Sequence, residues 1–226
     1  MRQIVLDTET TGLDLEKGHR IIEIGAVELI NRRIRHHWHC YINPEREIDE
    51  GALAVHGLDL TFLSTQPKFS EVVDDMVAFI EGSELIMHNA AFDVGFLNAE
   101  LERLGKSKIE TFCTVFDTLK LAREMHPGQR NNLDALCKRY GIDNSKRDKH
   151  GALMDAQLLA EVYLAMTRGQ ETLLDDEADS SMAIFMEVAK PEKLAVFYAS
   201  PEEEEMHKNF LKAIVDKSGK CLWLDT

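Results

Sequence analysis

Two carboxylates separated by one residue follow a short apolar run near the beginning of the chain. In "IVLDTETTG" (residues 4–12), Asp7 and Glu9 come directly after three apolar residues. On an extended strand, residues two apart point to the same face and lie about 7 Å apart. Such carboxylates repel each other unless a cation lies between them, and Mg²⁺ commonly takes one or two protein carboxylates together with waters and phosphate oxygens. The pattern predicts a divalent-cation site or, taken alone, a solvated strand end.

Two later stretches supply more acidic side chains and a histidine. "HNAAFD" (88–93) lies between a predicted strand and a predicted helix, which places Asp93 near a helix start. "HGALMD" (150–155) opens the strongest helix pattern in the chain, so we expect His150 just before the helix and Asp155 about one turn inside it. Both side chains can then lean over the sheet edge that carries the first two carboxylates. Helix N-termini at this edge would also favour phosphate oxygens.

The elements that must position these residues follow from the hydrophobic pattern. Strands are predicted over residues 4–9, 20–30, 34–42, 84–88 and 111–116, and "NRR" (31–33) is short enough for a hairpin turn. Helices are predicted over residues 70–82, 92–105, 132–141 and 151–169 and directly after Asp117, with Ser70, Asp117 and Asn132 as N-caps. A meander followed by alternating helices and strands is typical of an α/β fold with a mixed sheet.

The last quarter of the chain differs in composition. Residues 171–226 carry half of the net charge of −14. The acidic, weakly periodic stretch that begins at residue 170 is typical of a linker. A strand, a helix capped by "SPEE" (200–203) and a closing strand follow. The predicted domains are therefore residues 1–169, a linker over 170–190 and a tail over 191–226.

Neither a membrane span nor a disulfide framework is indicated. The apolar runs are shorter than the ~20 residues that a spanning helix needs. The start "MRQIVLD" lacks the apolar segment of a signal peptide. The four cysteines form no C-x-x-C pair. We therefore expect a cytoplasmic protein that makes no membrane contact, and the acidic charge would repel free nucleic acid unless cations or a partner intervene.

The ordered motifs resemble the DEDDh group of 3′–5′ exonucleases. D-x-E, H-N-A-x-F-D and H-x-x-x-x-D occur in that order. Together with "RIIEIGAVE", "VHGL" and "NNLDALCKRYGIDNSKR", they are similar to the proofreading subunits of bacterial DNA polymerase III over residues 2 to about 170. The resemblance implies a ribonuclease-H-like mixed sheet flanked by helices, with a C-terminal linker and a small partner-binding tail.

The resemblance also assigns chemistry to the five residues. It implies that Asp7, Glu9, Asp93 and Asp155 hold two divalent cations, Mg²⁺ or Mn²⁺. One cation would lower the pKa of a bound water, and the pair would stabilise the attacking and leaving oxygens. His150 would be the general base, and an unperturbed pKa near 6.5 suits that role. The implied reaction is hydrolysis of the 3′-terminal phosphodiester with release of a nucleoside 5′-monophosphate.

The terminal nucleotide is assigned by the same resemblance to a wider set of residues. These are Glu9, Thr10, Thr11, Gly12, Val55, His56, His88, Phe92 and Asp155. For Val55 and Phe92, packing in the core explains the residue type equally well. His56 and His88 flank the motifs, which favours a functional role.

Partners are implied by the resemblance too. The substrate would be a single-stranded or frayed DNA 3′ end, and residues 191–226 would bind the catalytic alpha subunit of DNA polymerase III near the nucleoid. "QETLL" (170–174) is similar to a sliding-clamp peptide, but acidic residues follow it, so clamp binding stays open. The tail could instead be a small β-α-β appendage with its own core.

Alternatives remain for the substrate and for two side-chain clusters. An exonuclease acting on RNA or short oligonucleotides keeps the same chemistry, and a non-catalytic polymerase scaffold keeps the same fold. The complete set of five catalytic positions argues against the scaffold. "HHWH" (36–39) could be a metal cluster but fits ordinary strand positions better, because neighbouring strand residues face opposite ways. "EEEE" (202–205) fits the first turn of a helix better than a metal site.

Overall fold

The computed structural model describes residues 2–145, 149–168 and 199–218. The chain divides into two units after Gln170. The predicted linker, the possible clamp peptide and both predicted tail strands fall largely or wholly outside the described residues. No described helix is long and apolar enough to cross a membrane.

The first unit is built on a five-stranded mixed sheet. Its strands are β1 (Arg2–Thr10), β2 (Ile21–Ile30), β3 (Arg33–Tyr41), β4 (Glu84–Met87) and β5 (Thr114–Asp117). They are ordered β3-β2-β1-β4-β5, with β1, β2 and β3 antiparallel and β4 and β5 parallel to β1. Asn31 and Arg32 both have positive φ angles, of 50° and 59°, in the tight turn between β2 and β3. The predicted hairpin and mixed sheet are confirmed.

Helices cover both faces of this sheet. They are α1 (Glu50–His56), α2 (Leu60–Leu63), α3 (Phe69–Ile80), α4 (Ala90–Arg103), α5 (Thr118–Met125), α6 (Leu133–Tyr140) and α7 (Ala152–Met166). The sequence did not predict α1 or α2, because segments this short carry too few turns to show a helical period. Asp117 and Asn132 are N-caps as expected: the Asp117 side chain accepts two backbone N–H groups of its helix, and that of Asn132 accepts one. 

The expected N-cap at Ser70 is wrong. Helix α3 begins at Phe69, so Lys68 occupies the N-cap position. The Glu71 carboxylate accepts the Lys68 backbone N–H at 2.7 Å, which satisfies a donor at the helix start. Phe69 is buried in the core, and this packing extends the helix one residue before the serine.

Strand β1 is buried on both faces, which explains its continuous apolar run. Ile4 and Leu6 pack with residues of α3 and α4, whereas Val5 packs with residues of α7 on the opposite face. The carboxylates that follow therefore stand at the end of the central strand, between two layers of helices.

The second unit contains one described helix, α8 (Pro201–Ser218). The expected capping box is confirmed, because the Glu203 backbone N–H donates to Ser200 Oγ at 3.2 Å and the Glu203 carboxylate accepts the Ser200 N–H at 2.8 Å. Met206 and Phe210 are 66% and 65% exposed, and Ile214 is partly buried. The helix therefore leaves apolar side chains accessible.

Candidate active site

Carboxylates converge on the end of β1 from three elements. Asp7 and Glu9 project from the face of β1 that packs against α7, and both are partly buried. Asp93 lies in the first turn of α4, on the other side of the sheet, and Asp155 lies in the first turn of α7. All four side chains line one cavity of 320 Å³, called here the carboxylate cavity.

Gly25 allows α7 to approach the sheet closely enough to deliver its carboxylate. It lies opposite Asp7 in the β1–β2 pair. A Cβ at this position would lie 2.3 Å from the backbone of Ala152 and Leu153, which is closer than real contacts allow. The missing side chain therefore lets the N-terminus of α7 rest on β2, and Asp155 in that first turn reaches the cavity.

His150 stands two residues before α7 and faces Asp155. Its Nδ1 lies 3.3 Å from Asp155 Oδ2. Its backbone N–H donates to the carbonyl of Val55 at 3.3 Å, which ties this segment to the end of α1. The ligand atoms of Glu9, His150 and Asp155 lie within 4.8 Å of one another, the spacing of a metal site.

The electrostatics of the carboxylate cavity call for a cation. Five acidic side chains line it, namely Asp7, Glu9, Asp93, Asp134 and Asp155, and no lysine or arginine does so among the described residues. Oxygen donors of this kind suit Mg²⁺ or Mn²⁺. The donor set therefore fits divalent cations.

Burial has its largest described effect on Asp93. The pKa of this carboxyl is raised from an ordinary value of 3.8 to about 7, mainly by loss of solvent and to a smaller extent by the negative charge of Asp117. The hydroxyl of Thr8 donates to Asp93 Oδ1 at 2.7 Å, which opposes the shift by stabilising the charged form. A cation would remove much of this penalty, because it stabilises the ionised carboxylate.

A second cavity, of 520 Å³, adjoins the first and is called here the Thr10 cavity. Thr8, Glu9 and Phe92 line both cavities. The predicted residues Thr10, Gly12, Val55 and His56 also line the Thr10 cavity, whereas His88 and Asp155 line the carboxylate cavity. Thr11 lines neither cavity.

Thr11 acts on the cavity through a buried histidine that the sequence did not reveal. Its hydroxyl lies 3.0 Å from His19 Nδ1, and His19 Nε2 lies 3.3 Å from the Asp49 carboxylate. A Cβ on Gly12 would lie 2.4 Å from the His19 ring. The glycine therefore makes room for His19, which supports the floor of the cavity.

His56 has a defined tautomer. Its Nδ1 accepts the backbone N–H of Leu58 at 3.0 Å, so the neutral ring carries its hydrogen on Nε2. Burial lowers the pKa of His56, which favours the neutral ring. Nε2 is buried and has no hydrogen-bond partner of good geometry, although the Thr10 carbonyl lies close to it. His56 thus lines the Thr10 cavity as a neutral ring whose Nε2–H is buried near the Thr10 carbonyl.

The two apolar positions differ in burial. Val55 is 44% exposed, so it does not serve core packing. Phe92 both packs in the core and lines the site. Its ring centroid lies 4.8 Å from that of Phe96 in the core, and its side chain lines both cavities.

The histidine-rich stretch of β3 contributes a pair next to the site. His39 Nε2 lies 2.7 Å from Glu23, a buried residue on β2 that lies directly opposite Glu9. Only the group of Glu9, His150 and Asp155 has metal-site spacing among the described residues, so residues 36–39 occupy ordinary strand positions. The pair was not predicted, because it depends on the register between β2 and β3.

The sheet order and the convergent carboxylates define a ribonuclease-H-like exonuclease. A family model described as "Exonuclease" matches residues 4–163. Among solved structures, Exonuclease X in complex with DNA aligns with a TM-score of 0.60 at 23% identity, covering 78% of this chain and 98% of that one. The nuclease domain of 3′hExo, a DEDDh family member, aligns with a TM-score of 0.63 at 19% identity, covering 73% and 90%. These two similarities show the fold.

Curated relatives match at higher identity over nearly the full length. DNA polymerase III subunit epsilon of Salmonella typhimurium is 49% identical over 235 residues, which cover 98% of this chain and 97% of the relative. The subunit of the same description from Escherichia coli K12 is 48% identical with the same coverage. The chain therefore belongs to the exonuclease family and, within it, to the epsilon subunits of DNA polymerase III.

Proposed function

We propose that the chain removes mismatched nucleotides from DNA primer ends during replication. It hydrolyses the 3′-terminal phosphodiester with divalent cations, releases nucleoside 5′-monophosphates, and works as a subunit of a replicative DNA polymerase. One observation carries the chemistry: four carboxylates from β1, α4 and α7 line a single cavity, with His150 Nδ1 3.3 Å from Asp155.

The roles follow from the positions of these side chains. Asp7, Glu9, Asp93 and Asp155 would hold two cations, Mg²⁺ or Mn²⁺, which when bound acidify water and neutralise charge on the phosphate. His150 is the general base. A histidine whose Nδ1–H faces a carboxylate is held in orientation and accepts a proton at Nε2. The Val55 carbonyl fixes the backbone of the same segment.

The Thr10 cavity would hold the terminal nucleoside. Because Glu9 lines both cavities, a nucleoside there places its phosphate at the carboxylates. The His56 ring lines this cavity, and Val55 and Phe92 offer apolar surface to the sugar and base. Thr10 shapes the loop by donating to the Gly12 carbonyl at 2.8 Å, and Thr11 supports it through His19. His88 lines the carboxylate cavity, where the phosphate would lie, and not the Thr10 cavity.

The cavity explains a preference for mismatched ends. A terminal nucleotide must leave its duplex to enter it, and unpairing costs a few kcal/mol, least for a mismatch. The net charge of −14 argues that another protein presents the DNA. We assign that role to the catalytic alpha subunit, bound by residues 191–226 after a linker over 170–190, in the cytoplasm at the nucleoid. Whether residues 170–174 also bind a sliding clamp stays an open question.

A degradation assay tests this function. The 5′-labelled primer strand is annealed to give a paired or a mismatched 3′ end, and the chain is added with Mg²⁺, with Mn²⁺ or with EDTA. We expect stepwise shortening from the 3′ end, faster at the mismatch, and none in EDTA. An RNA primer shortened faster than DNA would favour the oligoribonucleotide alternative. Absence of hydrolysis with every metal would favour the non-catalytic scaffold.

A further inference from the structure

A third cavity, of 520 Å³, adjoins the carboxylate cavity on the side away from the Thr10 cavity. Its lining includes His88, Arg123, Gln129, Asn131 and Asn132, and it is called here the Arg123 cavity. It shares His88 and Asn132 with the carboxylate cavity and shares no lining residue with the Thr10 cavity. The carboxylate cavity therefore lies between the other two.

The Arg123 cavity differs from its neighbour in charge. No acidic side chain lines it among the described residues, whereas five line the carboxylate cavity. Arg123 is exposed and has no hydrogen-bond or ion-pair partner in the described part of the chain. Burial is the main cause of the lowered pKa of His88, and the positive charge of Arg123 lowers it further. The Arg123 charge therefore acts on a residue that lines the cavity. The cavity therefore presents a cation to whatever enters it.

The loop between α5 and α6 is held in place without using that cation. Asn131 donates to the His126 carbonyl at 3.2 Å and accepts from Arg139 at 3.1 Å. Arg139 also donates to the Arg130 carbonyl at 2.8 Å. Structural contacts thus occupy Asn131 and Arg139, while the side chains of Arg123 and Gln129 line the cavity without such contacts.

We propose that the Arg123 cavity binds a backbone phosphate of the DNA strand just upstream of the scissile bond. This inference rests on the proposed function, which places the terminal nucleoside in the Thr10 cavity and its phosphate at the carboxylates. The strand must then leave on the opposite side, where the Arg123 cavity lies. The cations of the carboxylate cavity would serve the scissile phosphate, so a phosphate farther upstream needs a separate positive contact. A guanidinium pairs well with phosphate oxygens.

The first test compares Arg123→Gln with the wild-type chain on two substrates. The nitrophenyl ester of thymidine 5′-monophosphate has no upstream phosphate, whereas single-stranded hexathymidylate has several. We expect Arg123→Gln to raise KM for the hexamer roughly three- to tenfold, as for one partly exposed charge contact, with kcat nearly unchanged. Hydrolysis of the nitrophenyl ester should match the wild type.

Arg35→Gln is the matched control, because Arg35 is exposed on β3 and has no partner among the described residues. It loses the same charge without touching the Arg123 cavity, so its KM should stay near the wild-type value. The salt dependence provides a second readout. Loss of one single-strand phosphate contact should reduce the slope of log(1/KM) against log[salt] by about 0.7.

A neutral methylphosphonate placed at one phosphate at a time locates the contact. Substitution at one upstream position should weaken the wild type but add nothing to Arg123→Gln, because the two changes remove the same interaction. The proposal is overturned if Arg123→Gln and Arg35→Gln have equal KM values, or if the two changes are additive at every upstream phosphate. Failure of the wild-type chain to degrade the hexamer would instead remove the proposed function itself.

Discussion

Helices α7 and α8 are of similar length but are used in opposite ways. Nine of the 15 residues of α7 are buried, including the acidic Asp155. In the 18 residues of α8, Leu211 is buried, while Met206 and Phe210 remain about two-thirds exposed. One helix places a charge inside a packed unit, and the other leaves apolar groups at the surface.

The difference between the two helices corresponds to two functions, hydrolysis and partner binding. Hydrolysis needs side chains held within a fraction of an ångström, so its residues lie on a sheet and on helices packed against it. Partner binding needs accessible apolar anchors, which a tightly packed helix cannot offer. We therefore expect changes around α7 to alter hydrolysis and leave the partner surface of α8 intact.

The largest effect is expected from removing both carboxylates of β1. Asp7→Ala combined with Glu9→Ala should lower the hydrolysis rate by at least about 10³-fold, because cation binding supplies several kcal/mol of transition-state stabilisation. Circular dichroism should show an intact fold, and metal-free thermal stability should equal or exceed the wild type since a repulsion is removed. Mononucleotide release at the normal rate would remove both residues from the metal site.

Loss of the general base, His150, should lower the hydrolysis rate less than loss of the two β1 carboxylates. We expect His150→Ala to reduce kcat roughly 10²–10⁴-fold near neutral pH, the usual contribution of a positioned base. Calorimetric Mn²⁺ binding should persist, because the carboxylates remain. A pH–rate profile with the wild-type shape and height would contradict the assignment of His150 as the base.

Gly25→Ala tests whether α7 must rest on the sheet. The new Cβ would meet the α7 backbone at 2.3 Å, so the first turn must shift. A shift near 1 Å can cost about 10²-fold in rate, and overpacking costs about 1–3 kcal/mol of stability. Gly95→Ala on α4 is the control, because its Cβ would meet only Leu15 at 3.9 Å. Equal urea midpoints and rates for the two variants would refute the close-approach argument.

The last expected effect concerns stability and not rate: it is a pH dependence of metal-free stability. With a pKa of about 7 when folded against about 3.8 when unfolded, Asp93 costs nothing below about pH 4, and its full ionisation penalty is present above about pH 7. Stability in EDTA should therefore fall as pH rises through this window, by on the order of a few kcal/mol. Asp93→Asn should flatten that fall in urea unfolding at pH 4–7. Parallel curves for variant and wild type would contradict the shift.

The sequence predicted the parts of the site that local pattern controls. The end of an apolar strand and the starts of two helices are visible as patterns, and they placed Asp7, Glu9, Asp93, His150 and Asp155 at one edge of the sheet. The structure brings these five residues together in the carboxylate cavity. The helical period also identified α7 and α3, although it did not show that α3 begins at Phe69, with Lys68 rather than Ser70 as its N-cap.

Contacts between distant segments were not predictable in this way. The need for glycine at Gly25 and Gly12 comes from α7 and from His19, which approach only in the folded chain. The Glu23–His39 pair depends on strand register, which shifts between Val27 and Leu29 along the β2–β3 pair. Asp134 lines the carboxylate cavity because α6 packs against α7, and the three motifs that supplied the predicted catalytic residues do not include it.

The central claim is that residues 1–169 contain the whole hydrolytic machinery and that the tail binds the partner. The direct measurement is the rate at which a purified 1–169 fragment removes a mismatched 3′ nucleotide, relative to the full chain, with no polymerase present. We predict a ratio near one and a folded fragment by circular dichroism, together with loss of binding to the catalytic alpha subunit. A more than tenfold slower or unfolded fragment, or one that binds that subunit as tightly as the full chain, would contradict the account.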